Sequence, residues 1–322
     1  MNQKTVALLV ALSMLAVACS DGGETISSPK SFVGGTDALT FDFVEGAPPE
    51  EVFDQGNFPF EVTLNIENEG EYDVPKENLN VTLQGFFPAD FGSPVNSRNT
   101  EDDLEKTFID SDGNQVPGGI TFLTFEGFNF GAALPANNEF TIRAELCYKY
   151  GFTAQTDICV ISDVTETDDE EKVCEVDENK RVESSASPLQ IENFVENIGG
   201  TDRINFNFDV VHRGTGSVSK LGTSCDEADI QSNEDKVFLN ISSGLAGLKC
   251  SGITDGPADT EADGYQAGFT TLFGGKRFIR CSQDVSDAVA NNIDFEKKVT
   301  IKGEFEYKEH KSQRILVKHT TP

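Results

Sequence analysis

The sequence predicts an all-β chain: two tandem immunoglobulin-like antiparallel β-sandwiches after a signal peptide and a short tether. Two observations carry this expectation. The stretch "FTIRAELCYKY" (140–150) returns 159 residues later as "VTIKGEFEYKE" (299–309). In both, apolar side chains alternate with polar ones, the period-two pattern of a strand with one face in a core. The composition agrees: Phe is abundant (25), Trp is absent, and Gly and Asn recur between short apolar runs, which suits strands and turns better than long helices.

The repetition extends upstream in the same order. "FVEGAP" after "ALTFD" parallels "FVENIG" after "PLQIEN", and "FPFEVTLNIENEG" parallels "INFNFDVVHRGTG". "DGNQVPGGITFLTFEG" parallels "DGYQAGFTTLFGG". Four ordered correspondences read as an internal duplication, a tandem pair and not a solenoid. At 322 residues the chain has room for two ordinary domains. The first is placed at 32–163 and the second at 187–322, separated by the acidic stretch 164–186, which has almost no apolar residues and reads as a linker.

Residues 1–18 form the expected signal peptide. Lys4 precedes the apolar run "VALLVALSMLAVA", of export-signal length. The run ends at "LAVAC", and 19–31 reads as a polar tether. This pattern resembles a lipoprotein signal in which Cys19 is lipidated and becomes the first residue. Ala16-Val17-Ala18 also fits an ordinary A-x-A cleavage site, so simple secretion is the alternative. Seven cysteines leave six once Cys19 is set aside, enough for three disulfides in an oxidising compartment.

The formal charge is −30 at pH 7 and the pI about 4.3. That excludes nucleic acid as a partner, since phosphates need a basic surface, and excludes a polybasic grip on anionic lipid. The membrane enters only through the expected lipid anchor, and an extracellular protein or glycan is the class of partner left.

"LTFDFVEGAPPEEVFDQGNFPFEVTLNIENEGEYDVP" resembles the opening of CARDB-type immunoglobulin-like modules, with Asn68-Glu69-Gly70 as the N-x-G turn after an alternating strand. With "CYKY…CV" and a second cysteine-bearing copy, nearly the whole mature chain resembles uncharacterised archaeal surface lipoproteins. His212-Arg213-Gly214 stands near the expected N-x-G of the second copy. The resemblance implies a fold and a cell-surface location, and carries over no active site.

If the repeated strand turns back around Thr153, Cys147 faces Cys159, Arg143 faces Asp163 and Lys149 faces Asp157, with Leu146 opposite Val160 and Tyr148 opposite Ile158. This register predicts a Cys147–Cys159 bridge and, at the same place in the second copy, an exposed Glu306–Lys318 pair. Cys250 with Cys281, and Cys174 with Cys225, complete one choice among the 15 pairings that six cysteines allow.

Chemistry is sparse. His212, His310 and His319 show no metal-ligand or Ser/His/Asp spacing, and "RGTGSV" reads as a hairpin turn. Acidic turns offer oxygen ligands of the kind calcium takes: Asp110 and Asp112, then Asp255, Asp259, Glu261 and Asp263; neither cluster matches an EF-hand loop. Asn80 and Asn240 head two N-x-S/T sequons at corresponding places in the copies, and both are glycosylation candidates. The expected role is structural or adhesive and not enzymatic. The alternatives are a calcium- or glycan-binding surface module, or an accessory domain of a secreted enzyme system.

Overall fold

The computed structural model describes residues 30–163, 173–176, 178–225, 229–257 and 260–321. Cys19 and its tether up to Pro29, the central part of the acidic stretch and Asp259 lie outside the described residues. The chain divides into a unit of residues 1–30 and a unit of 31–322, and the second unit carries every strand described below.

In chain order the strands are β1 (Leu39–Phe43), β2 (Glu51–Phe53), β3 (Phe60–Asn68), β4 (Leu79–Gln84), β5 (Ser97–Asn99), β6 (Phe108–Ile109), β7 (Gln115–Val116), β8 (Ile120–Phe128), β9 (Asn138–Val160), β10 (Glu183–Ser184), β11 (Leu189–Gly200) and β12 (Arg203–His212). They continue as β13 (Ser217–Ser219), β14 (Lys236–Ser242), β15 (Lys249–Ser251), β16 (Tyr265–Thr271), β17 (Lys276–Asp284) and β18 (Phe295–Lys318). The helices are short: α1 (Ile230–Asn233) and α2 (Ser286–Asn291). The fold is all-β.

Each copy supplies a flanking antiparallel sheet, β1-β3-β8 in the first and β11-β12-β17-β15 in the second. Between them both copies build one sheet, in the order β16-β14-β18-β9-β4-β5, with β10 on β9 and with β13 and β2 on β18. All these pairings are antiparallel except β2 with β18. A single apolar cluster runs through the unit, from Leu39, Phe41, Val62 and Leu64 to Phe206, Phe208, Leu239 and Ile241.

The repeated phrase does not turn back. β9 runs unbroken through Thr153, and every residue from Asn138 to Val160 pairs with β18, between Val317 and Phe295. The two copies of the phrase therefore pair with each other, and Tyr148 lies opposite Tyr307, its own counterpart in the repeat. Directly opposed residues share a face, so Tyr148 and Tyr307 both point inward, with ring centroids 5.9 Å apart. On this face Tyr150 reaches the first copy's N-x-G turn, 3.5 Å from Asn68 Oδ1, while the Tyr307 hydroxyl accepts from Gly216 N at 2.7 Å in the second copy. Asn68 is fully buried, and its Nδ2 donates to the carbonyls of Tyr72 and Leu104. Gly70 is required there, because a Cβ would stand 1.8 Å from the Tyr150 hydroxyl and 2.6 Å from the Asp37 carbonyl.

This register corrects several expectations. Cys147 and Cys159 lie twelve positions apart on one strand, about 40 Å at the rise of a strand, far beyond disulfide reach. Cys147 instead bonds to Cys225 in a loop of the second copy, and Cys159 bonds to Cys174. Cys174 therefore does not pair with Cys225. Cys250 and Cys281, opposed on β15 and β17, are joined as the sequence led us to expect. Lys149 pairs with Glu304 at 2.9 Å instead of Asp157, which meets Lys298 at 3.4 Å, and Arg143 reaches Glu145 instead of facing Asp163. Glu306 is buried, while Lys318, twelve positions along the same strand, pairs with Glu51.

Two further differences concern the repeat and the linker. β8 lies in a flanking sheet on β3, whereas its sequence parallel β16 lies in the central sheet on β14. The described end of the acidic stretch is tied in: Cys174 by its bridge, Asn179 by a bridge to Val195, and Glu183–Ser184 as β10.

Candidate functional site

The inner face of the central sheet is core. Its outer face, built from the alternate residues, holds two adjoining hollows. On β9 this face presents Cys147, Lys149 and Gly151; on β18, Lys302, Glu304 and Glu306; on β14, Phe238 and Asn240; on β4, Asn80. The larger hollow, about 600 Å³, lies between Tyr72, Asp73 and Lys106 on one side and Phe238 and Asn240 on the other. The smaller, about 370 Å³, is bounded by Glu77, Asn80, Asn99, Ser224 and Glu306. Asn78 and Lys149 line both.

The wall carrying Tyr72 stands where the edge of β9 is open between β4, which pairs as far as Tyr148, and β10, which pairs from Ala154. Gly151 lets the Tyr72 ring approach, since a Cβ there would lie 2.5 Å from it. Tyr72 then donates its hydroxyl to Glu304 Oε1 at 2.7 Å, and Lys149 Nζ lies 2.9 Å from the same oxygen. Partial burial works to raise the Glu304 carboxyl, but these two bonds outweigh it and hold the pKa below its ordinary value. Lys106 stands 3.8 Å from Asp73. Glu71 accepts from the amides of Val33, Gly34 and Ala186, so it fixes the wall and offers nothing to a ligand. In a chain with 55 acidic side chains, three lysines converge on this hollow.

The smaller hollow is bordered by a strap from the second copy, through Ser224. Residues 222–225 lie over β18, and the buried Glu306 carboxylate receives Gly222 N at 2.8 Å, Thr223 Oγ1 at 3.0 Å and Cys225 N at 2.6 Å. The Cys147–Cys225 bridge ties the same strap to β9. Cys147, Cys225 and Glu306 are the one set of three metal-type ligand atoms found within 4.8 Å of one another among the described residues. With both sulfurs bonded to each other, the set forms a structural strap and no thiolate site.

The acidic side chains singled out in the sequence that lie among the described residues make local contacts. Asp110 turns its carboxylate back on its own loop, accepting from Asp112 N and Asn114 N, while Asp112 is exposed. Glu261 pairs with Lys249, Asp263 closes a one-turn 3-10 segment, and Asp255 sits at φ 54° in a turn. Two histidines serve the fold: His212 Nε2 lies 3.2 Å from the Tyr307 hydroxyl, and His319 Nδ1 lies 3.0 Å from Asp54. His310 is exposed.

Asp54 and Glu196 carry no signal in the sequence. Asp54, fully buried, accepts from Thr320 Oγ1 and N, Leu134 N and His319, so it holds the end of β18 against the first copy. The Thr320 hydroxyl leads these bonds, which overcome desolvation and keep the carboxyl well below the usual range. Glu196, also fully buried, accepts Cys159 N with both oxygens at 3.0 Å and meets Lys180 at 3.3 Å. Desolvation outweighs these partners, and its pKa is pushed up to about 7. Neither stands out in a sequence so rich in carboxylates.

No family model matches the chain, and no curated protein does. Among solved structures, the secreted serine protease VesC from Vibrio cholerae aligns at 9% identity and a TM-score of 0.21. The alignment covers 82% of this chain and 49% of that one, so the chain spans about half the protease's length. A likeness at that score bears neither on fold nor on activity.

Proposed function

We propose that the chain is a cell-surface lipoprotein with a structural or adhesive role, held outside the membrane by a lipid on Cys19. The observation that carries this reading is the fusion of the two copies. The β9–β18 ladder is paired along its whole length and the Cys147–Cys225 strap crosses it, so the copies form a stiff display platform. Three disulfides fit an oxidising environment. No helix among the described residues is long and apolar enough to cross a membrane. Each copy lays a flanking antiparallel sheet beside its share of the central one, in keeping with the immunoglobulin-like, CARDB-type reading.

A second reading, a glycan-binding module, is favoured by one specific feature. The outer-face hollows combine the amides of Asn78 and Asn240 with the Tyr72 and Phe238 rings, side chains that match sugar hydroxyls and sugar faces. A non-enzymatic role fits the pairing of Lys149 with Glu304 and Lys106 with Asp73.

The test of the first reading is a deletion strain scored for cell–cell or cell–surface adhesion. The intact chain should restore adhesion and Cys19→Ser should not, with the substituted protein in the medium or left as an uncleaved precursor. Full rescue by a Cys19→Ser protein that stays normally processed on the membrane would refute the anchored reading. For the second reading, Lys302→Ala should weaken capture on an oligosaccharide screen.

A further inference from the structure

The two sequons hold corresponding places in the repeat, yet the fold treats their asparagines differently. Asn80 sits in a closed ring of side-chain hydrogen bonds. Its Nδ2 donates to Asn99 Oδ1 at 3.0 Å, and its Oδ1 accepts from Thr82 Oγ1 and Ser97 Oγ, each at 3.1 Å. Thr82 is the sequon hydroxyl itself, so both functional ends of the motif are engaged. The strand neighbours of Asn80 are Asn99 on one side and the bridged Cys147 on the other.

At the second sequon Ser242 Oγ donates to the Gly264 carbonyl at 3.5 Å, but the amide of Asn240 itself is not engaged. No hydrogen bond involves its side chain among the described residues, and its cross-strand neighbours are Ala267, which is small, and Lys302. It borders the larger hollow, as does Phe238. Phe238 stands two positions earlier on the same strand and therefore on the same face. The Phe238 ring is only partly buried, braced edge-on by Phe269 at 5.1 Å. An aromatic ring beside a free amide, with room above both, is a seat for a sugar ring joined to that amide.

We propose that Asn240 carries an N-linked glycan whose first sugar lies on Phe238 in the larger hollow, and that Asn80 stays unmodified as a structural residue. The donor class is an oligosaccharide joined through its anomeric carbon to a lipid phosphate or diphosphate. Asn240 Nδ2 bonds to that carbon and gives up one proton. The carbon–oxygen bond to the phosphate breaks, and the lipid phosphate leaves with the electron pair. The glycan depends on neither the adhesive nor the glycan-binding reading; it directs the sugar-compatible lining toward the chain's own sugar.

The test uses full-length protein purified from the cells that make it, digested with trypsin and mapped by mass spectrometry. The peptide Val237–Lys249 should be shifted by a glycan mass and Glu77–Arg98 should not. Occupancy at Asn240 should exceed that at Asn80 by at least about tenfold, the equivalent of one hydrogen bond that modification of Asn80 would break. Asn240→Gln should abolish the shift. Phe238→Ala should leave the site occupied but speed enzymatic release of the glycan from native protein, roughly three- to tenfold for the lost ring contact. An unshifted Val237–Lys249 peptide, or equal occupancy at Asn80, overturns the assignment. An unchanged release rate in Phe238→Ala overturns the seat.

Discussion

Glu306→Gln is expected to destabilise the fold substantially, although it removes no more than one charge and no volume. The carboxylate receives three donors from the 222–225 strap. Hydrogen bonds to a charged, buried acceptor contribute about 1.5–3 kcal/mol each, and glutamine keeps one acceptor oxygen while turning an NH₂ toward backbone N–H groups. The loss of one to two such bonds comes to about 3 kcal/mol. For a unit of this size that lowers the melting temperature by about 5 °C. Thermal and urea unfolding followed by circular dichroism would measure it. The strap is held twice, so the effect should depend on the disulfide. In a Cys147→Ser/Cys225→Ser background the strap is already loosened, and the same substitution should cost at least about 1 kcal/mol less. A Gln variant within about 0.5 kcal/mol of the parent, or full additivity with the cysteine pair, would refute the reasoning.

Two carboxylates should give pH dependences of opposite sign. Asp54 is held far below the unfolded value, so its contribution is complete above about pH 4 and is lost as pH falls further. Asp54→Asn should therefore be less stable than the parent at neutral pH, with a gap that narrows on acidification; a gap constant from pH 7 to pH 2 would contradict this. Glu196 is raised to about 7, so the folded state holds a proton that the unfolded state has lost, and this group's contribution weakens as pH rises from about 4.5 to 7. Glu196→Gln should flatten that part of the stability–pH curve, and an unchanged slope would remove the assignment.

The strands are legible where burial alternates. Phe60, Val62, Leu64 and Ile66, and again Ile204, Phe206, Phe208 and Val210, are buried as period-two patterning requires. The difference at β9 has a physical cause. Its even-numbered residues from Ile142 to Val160 are all buried, with Gly151 and Cys159 the odd-numbered additions, and folding the strand back about Thr153 preserves that parity. Alternation says which face a residue occupies, not whether its partner lies in the same strand or 150 residues away. Glu306 escapes the sequence for the same reason. Its parity puts it on the outer face, and only the strap folded over that face makes it buried. The hollows gather residues from five strands and the loops between them, so no local motif announces them; the two sequons are their one visible trace.

Tyr148 opposite Tyr307 has a consequence for origins. Two identical strands paired antiparallel, each meeting its own counterpart at the centre, have the arrangement of a two-fold homodimer. The duplicated phrase thus reproduces within one chain the contact that two separate ancestral chains would make about a symmetry axis. The dependence persists. A single copy cut free at the acidic stretch would expose a strand of 23 residues with no ladder on that side. It should seek a second copy of itself, and the partner it finds would rebuild the seam that the duplication made covalent.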